Sequence, residues 1–358
     1  MTQSSPIRFS PDLETITADE QETVSGLNKQ FDIILEKTSE DYGHAVRSVH
    51  AKAHGIIEGK LTVFEGLATE LAQGMFATPG EHGVYMRLST NAGDILPDAI
   101  ALPRGLAMKV VDVEGARLPD AEGSTQDFVM VNGPVFQAPN PEKFLSSLKL
   151  LARTTDRMEG TKTVLSSVLQ TVSAGLEAVG VASPTVQGLG GAPNVDPLGE
   201  TYFSVTPFRY GDYVAKFRLK PVSPDLTKRT GTEIDASVRE DAIRETVQAE
   251  MQTTIGEWEF QVQLCRDIEA QPIEDPTVEW KEDEAPFVTV ATVTAAPQDS
   301  WSDAKVQKVD EEMRFSVWTG LADHQPLGSI NRARKDTYRH SADFRAKFNG
   351  CPFHEPQE

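Results

Sequence analysis

Gly-Val-Tyr-Met-Arg-Leu-Ser-Thr (83–90), Arg-Gly-Leu-Ala-Met-Lys-Val-Val-Asp-Val (104–113) and Asp-Phe-Val-Met-Val-Asn (127–132) follow one another with no helical pattern between them. Their apolar residues alternate, the spacing of a strand that buries one face. Working outward, residues 200–207 and 213–220 read as two more strands joined by the turn Phe-Arg-Tyr-Gly-Asp, and 257–266 and 286–296 as another two. Strands come in adjacent groups, with helices between and after them. That order is not a strict βαβ alternation, and it predicts an α+β fold built on an antiparallel sheet or barrel with surrounding helices.

The remaining segments fill in around this sheet. Residues 1–17 read as an irregular arm. Residues 18–42 carry Val24, Leu27, Phe31, Ile34 and Leu35 at helical spacing. Residues 45–64 read as extended, and 65–78 as a short helix or loop. Helices are predicted over 141–153, 161–185, 238–252, 301–311 and 328–348, with a glycine-rich turn at 188–191. The stretch 184–200 reads as an internal loop, so residues 1–358 are taken as a single domain.

Composition excludes several functions. The 358 residues carry 54 acidic and 34 basic side chains, a formal net charge of −20. Nucleic acid and anionic membranes both reward a basic surface, so neither is an expected partner. Two cysteines, Cys265 and Cys351, are too few for a disulfide framework, a structural zinc or an iron–sulfur site. The first residues, MTQSSPIRFSPD, have no apolar signal region, and no run of about 18 apolar residues occurs. A cytoplasmic protein without a membrane span is expected.

The chemistry gathers at two ends of the chain. In Asn-Arg-Ala-Arg-Lys-Asp-Thr-Tyr (331–338), Arg334 and Tyr338 stand at i,i+4 and share a helix face. An adjacent guanidinium favours the anionic form of a phenol, and a phenolate is a competent axial ligand for ferric haem. A surface cation–π pair would account for this pair alone equally well. Near the N-terminus, Arg47-Ser48-Val49-His50-Ala51 places a histidine among small and β-branched residues.

In order and spacing these segments resemble the haem catalases. The family pattern runs Val-Val-His-Ala, Val-Arg-Phe-Ser-Thr, Asp-Pro-Arg-Gly-Phe-Ala, Asn-Asn-Thr-Pro with a following Phe, and late in the core Arg-x-x-x-Tyr. Its counterparts here begin at Ser48, Met86, Leu102, Val131 and Arg334, and the late segment Pro326 to Lys335 is similar to the short catalase-related proteins. The resemblance implies a catalase-like barrel holding a haem, of b type. It makes His50 the distal proton shuttle, Asn132 the distal amide and Ser89 the acceptor that fixes the imidazole tautomer. Tyr338 would be the axial ligand of the haem iron, with Arg334 beside it. Arg47, Arg87 and Arg345 would bind the propionates, and Val49 would line the pocket. Phe136 is a candidate for packing near the haem.

The chain also departs from the family. It ends soon after Tyr338, so no wrapping segment, helical domain or flavodoxin-like domain is expected, and a wider path to the haem follows. Ala342 stands where the family has a histidine, and Val131 replaces the first asparagine. The stretch 188–191 lacks the context of a nicotinamide dinucleotide site. The expected function is a hydroperoxidase that reduces organic hydroperoxides and hydrogen peroxide through a ferryl intermediate, drawing on a small-molecule reductant, with residual catalase activity. It would defend against oxidative stress and associate as a homodimer. Alternatives are rearrangement of a fatty-acid hydroperoxide or oxidative attack on a fatty acid. Val49, where the rearranging relatives carry Thr, weighs against rearrangement. A non-catalytic haem carrier or sensor is the reading from another class; intact His50, Ser89 and Asn132 oppose it.

Overall fold

Period-two alternation decides what each strand shows to each side. The computed structural model describes residues 4–155 and 193–356. Its strands are β1 (Ala53–Val63), β2 (Gly80–Thr90), β3 (Arg104–Val110), β4 (Gln126–Val131), β5 (Tyr202–Phe203), β6 (Phe208–Tyr210), β7 (Tyr213–Pro221), β8 (Gly256–Leu264) and β9 (Phe287–Ala295). All pairings are antiparallel, in the order β5-β4-β3-β2-β1-β9-β8-β7-β6. A further pairing of β5 with β7 closes eight of these strands into a barrel, leaving β6 as a hairpin arm on β7. Closure removes the exposed strand edges that invite aggregation.

Register puts whole rows of side chains on one face. Leu88, Leu106 and Met130 stand side by side across β2, β3 and β4, as do Met86, Met108 and Phe128. These rows point into the barrel, where Phe128, Phe217 and Phe260 meet at ring distances of 4.7–5.6 Å. Each such buried side chain stabilises the fold by about 1.5–3 kcal/mol. The intervening row, Arg87, Ala107 and Val129, necessarily faces outward, as does the row Ser89, Gly105 and Val131.

Helices cover that outer face. α1 (Glu20–Tyr42), α2 (Pro141–Thr155), α3 (Ala242–Met251) and α4 (Ser329–Asn349) are the long ones among the described residues. Leu27, Phe31 and Leu35 of α1 pack with Leu148 of α2 and Ala333 of α4, and Val49 joins this cluster from the barrel side. α4 begins at Gly328 (φ 84°), where a Cβ would lie 2.5 Å from the carbonyl oxygen of Ile273. Only glycine fits that left-handed, crowded corner.

Some boundaries differ from the sequence reading. Residues 208–210, read as part of a turn, form β6; Gly211 at φ 58° supplies the left-handed residue that lets Tyr210 pair with Tyr213. Residues 45–52, read as extended, are irregular, with bends at 48–50 and 52, and precede β1. The predicted helix at 301–311 is one short α-turn, Asp303–Lys305, followed by a π-helical segment, Val306–Glu311. The predicted helix 161–185 and the turn 188–191 lie outside the described residues. No helix among the described residues is long and apolar enough to cross a membrane.

Candidate active site

Between the outward rows of β2–β4 and the inner face of α4 lie two cavities, of about 630 and 1060 Å³, that share Val49, His50 and Tyr338. The smaller is also lined by Arg47, Arg87, Ser89 and Arg345, and the larger by Asn132 and Arg334. Every residue singled out from the sequence thus borders one or both spaces. Phe136 and Val131 border the larger, and Ala342 the smaller.

His50 stands at φ 55°, left-handed backbone uncommon for a residue with a Cβ. Neighbouring chains impose it. Its N–H donates to the carbonyl of Asn91 at 3.3 Å, and the N–H of Ala51 to that of Ala92 at 2.8 Å. The guanidinium of Arg87 donates to the carbonyls of His50 and Ala51 at 3.0 and 3.1 Å. The ring lies over Gly105, where a Cβ would come within 2.5 Å of its Nδ1, so the glycine leaves the space the imidazole fills. Nδ1 contacts Ser89 Oγ at 3.0 Å, and that hydroxyl is within 3.5 Å of the Gly105 carbonyl. With the hydroxyl proton donated to the carbonyl, Oγ accepts from Nδ1–H and leaves Nε2 as a free acceptor. Burial first, then the charges of Arg87, Arg334 and Arg47, pushes the imidazole down to about 3, so it is neutral at physiological pH.

Asn132 follows β4. Its Oδ1 accepts from the backbone N–H of Arg104 at 2.8 Å, and its Nδ2 donates to Glu200 Oε2 at 3.0 Å.

Two arginines share one carboxylate, and a third braces the same turn of backbone. Arg47 and Arg87 reach Asp310 Oδ1 at 2.5 and 2.7 Å, and Arg345 donates to the backbone carbonyls of Asp310 and Glu311 at 2.9 and 3.1 Å. Arg87 and Arg345 are buried. Burial, then Arg345 and Arg87, pushes Arg47 well below the usual guanidinium range. Against its own burial, Arg87 and Arg47 hold Asp310 well below the usual carboxylate range.

α4 forms the facing wall. Arg334, Tyr338, Ala342 and Arg345 recur at three- and four-residue spacing and so occupy one helix face. The guanidinium of Arg334 donates to Asn331 Oδ1 at 3.2 Å and lies 5.8 Å over the Phe136 ring. Buried Asn331 anchors the helix, donating to the carbonyls of Pro207 and Leu327 and accepting from Thr206. The Ser341 hydroxyl accepts from the N–H of Ser48 at 3.2 Å, tying α4 to the segment that carries His50.

The family model for catalase matches residues 33–303. The chain belongs to the catalase family. Among solved structures, a fungal catalase is 17% identical with a TM-score of 0.60, covering 89% of this chain and 64% of its own. Catalase A from Saccharomyces cerevisiae is 16% identical with a TM-score of 0.60, covering 90% of this chain and 68% of its own. This catalase-family chain therefore spans less than two thirds of the length of the first of these, and at such identities the likeness is one of fold. No curated protein sequence matches the chain.

Sequence reasoning missed two acidic residues at this catalase-family site. Asp310 could have been sought, since buried Arg87 and Arg345 beside Arg47 require a counter-charge, but its place in a π-helical turn has no simple sequence signature. Glu200 stands far from Asn132 in the chain and gave no signal.

Proposed function

We propose that the pocket holds a haem between His50 and Tyr338 and uses it to reduce organic hydroperoxides and hydrogen peroxide, with residual catalase activity. The observation that carries this reading is a neutral, tautomer-fixed imidazole and a tyrosine bordering the same two cavities from the barrel and helix walls. The donor set fits the group. Ala107, Val129 and Phe136 offer apolar faces to a flat macrocycle. Arg47 and Arg87 share one carboxylate and Arg345 meets only backbone carbonyls, so the three retain positive charge for two propionates.

When bound, the haem iron supplies the redox chemistry of O–O cleavage, with Tyr338 as its phenolate ligand. His50 Nε2 would take the proton from the peroxide's inner oxygen and return it to the outer one as that oxygen leaves. Asn132 would donate a hydrogen bond to the developing charge. Ser89 would keep the imidazole in the competent tautomer. Arg334 would stand on the same wall, one helical turn before Tyr338. A small-molecule reductant would complete the cycle.

Organic hydroperoxides enter the proposal because the larger cavity is lined by Leu27, Phe31, Val135, Phe144 and Ile330, an apolar surface that a small hydrophilic peroxide does not need. The same lining suits a fatty-acid hydroperoxide, so rearrangement is the second reading. Parallel assays of hydrogen peroxide, cumene hydroperoxide and a fatty-acid hydroperoxide with a phenolic donor test the proposal. Donor oxidation with cumene hydroperoxide, and slower oxygen evolution from hydrogen peroxide, are expected. An epoxide or ketol product would assign rearrangement, and turnover of hydrogen peroxide alone would overturn the organic specificity.

A further inference from the structure

A side-chain amide has nearly the same shape when its oxygen and nitrogen are exchanged, so its partners decide which end faces a cavity. Asn132 has two partners of opposite demand. The backbone N–H of Arg104 needs an acceptor and meets Oδ1; the carboxylate of Glu200 needs a donor and meets Nδ2. In the flipped amide an oxygen would face the carboxylate and an NH₂ would face an N–H, losing both bonds and adding two repulsions. With one Nδ2 hydrogen given to Glu200, the other remains for the cavity that Asn132 borders.

Glu200 is held for this task. It caps a single 3₁₀ turn, Pro197–Gly199, begun by the Asp196 carboxylate accepting from Leu198 N–H at 2.9 Å. Gly199 lies so close to Arg229 that a Cβ would sit 2.5 Å from its carbonyl carbon, which fixes where the next residue starts. Burial pushes the Glu200 carboxyl up, Asn132 and Arg104 draw it down, and Asp196 adds to the rise. Glu200 does not border either cavity, so any influence on chemistry runs through Asn132.

We propose that Glu200 is a positioning residue that orients the Asn132 amide, so that an N–H and not a carbonyl oxygen is presented to the distal space. This rests on the haem reading above. A hydrogen-bond acceptor on the iron reports the distal donor directly, and fluoride is such a probe. Glu200→Ala, and Glu200→Leu as a space-filling companion, should weaken fluoride binding to the ferric holoprotein about five- to tenfold. Glu200→Gln keeps an acceptor for Nδ2 and should restore affinity to within about twofold. Asn132→Ala should weaken fluoride to a similar extent, and adding Glu200→Ala to it should change nothing further, because the two act as one unit. A normal haem spectrum with unchanged fluoride affinity in both Ala and Leu variants would overturn the role of Glu200 alone. So would an equal loss on adding Glu200→Ala to Asn132→Ala. A wild-type protein with no haem spectrum would remove the parent reading and this one together.

Discussion

Two arginine centres in this molecule are built in opposite ways. Around Asp310, Arg47 and Arg87 share one carboxylate, and Arg345 beside them engages only the backbone carbonyls of Asp310 and Glu311. At the N-terminal end of α4, Arg332 is alone among three carboxylates, meeting Glu14 at 2.5 Å, Glu20 at 2.5 Å and Glu274 at 3.1 Å. Burial and like charge push Arg47 down, whereas, despite burial, the hydrogen bonds Arg332 donates to Glu20, Glu274 and Glu14 push Arg332 up. A saturated cation has nothing left to bind, and Arg332 staples the N-terminal arm, α1 and the loop at 274 to α4. An under-compensated cluster beside a cavity is instead poised for an anion. The contrast separates a structural centre from the one proposed to bind the haem.

Four measurements would break or sharpen this contrast. The largest effect belongs to Asp310→Asn, which leaves Arg47 and Arg87 without their shared carboxylate and Arg345 crowded beside them. Urea unfolding of the haem-free protein should lose about 3–5 kcal/mol, partly recovered when haem is added. Wild-type stability without haem would mean the cluster is not strained. Arg332→Met should cost about 2 kcal/mol in the same assay and leave haem affinity unchanged; a parallel fall in haem affinity would erase the distinction between the centres.

Next comes pH. The folded imidazole of His50 titrates near 3, against 6.5 in the unfolded chain. Between those values the unfolded state binds more protons, so stability is complete above pH 6.5 and is lost as pH falls toward 3. At pH 5 this group should cost the haem-free protein roughly 2 kcal/mol. His324, on the barrel interior, is also pushed down to about 3 by burial and by Arg209, so His50→Gln should remove only part of the acid dependence. An acid limb unaltered in His50→Gln would show that His50 is not buried as described. The smallest effect expected is that of Arg87→Lys, which keeps the charge and loses the planar fork. Haem affinity should fall about fivefold, on the order of 1 kcal/mol; no change would argue against bidentate contact with the haem.

Much of this was legible in the chain because repeating physical patterns carried it. Alternation in 83–90, 104–113 and 127–132 marked these barrel strands, and with it Met86 and Arg87 fall on opposite faces. Helical spacing aligned Arg334, Tyr338 and Arg345 on one wall. What escaped depends on contacts between distant residues. The left-handed backbone of His50 is imposed by Asn91, Ala92 and Arg87, the counter-charge Asp310 arrives through a π-turn, and Glu200 reaches Asn132 only because β5 pairs with β4. β6 was read as a turn because its three residues are too few to display a period.

The central claim is a haem gripped by the phenolate of Tyr338 opposite His50. Its most direct test is the absorption spectrum of Tyr338→Phe beside wild type, each purified from cells supplied with haem. The account predicts a ferric high-spin haem spectrum in wild type that is lost in the variant. An identical spectrum in both proteins would contradict it.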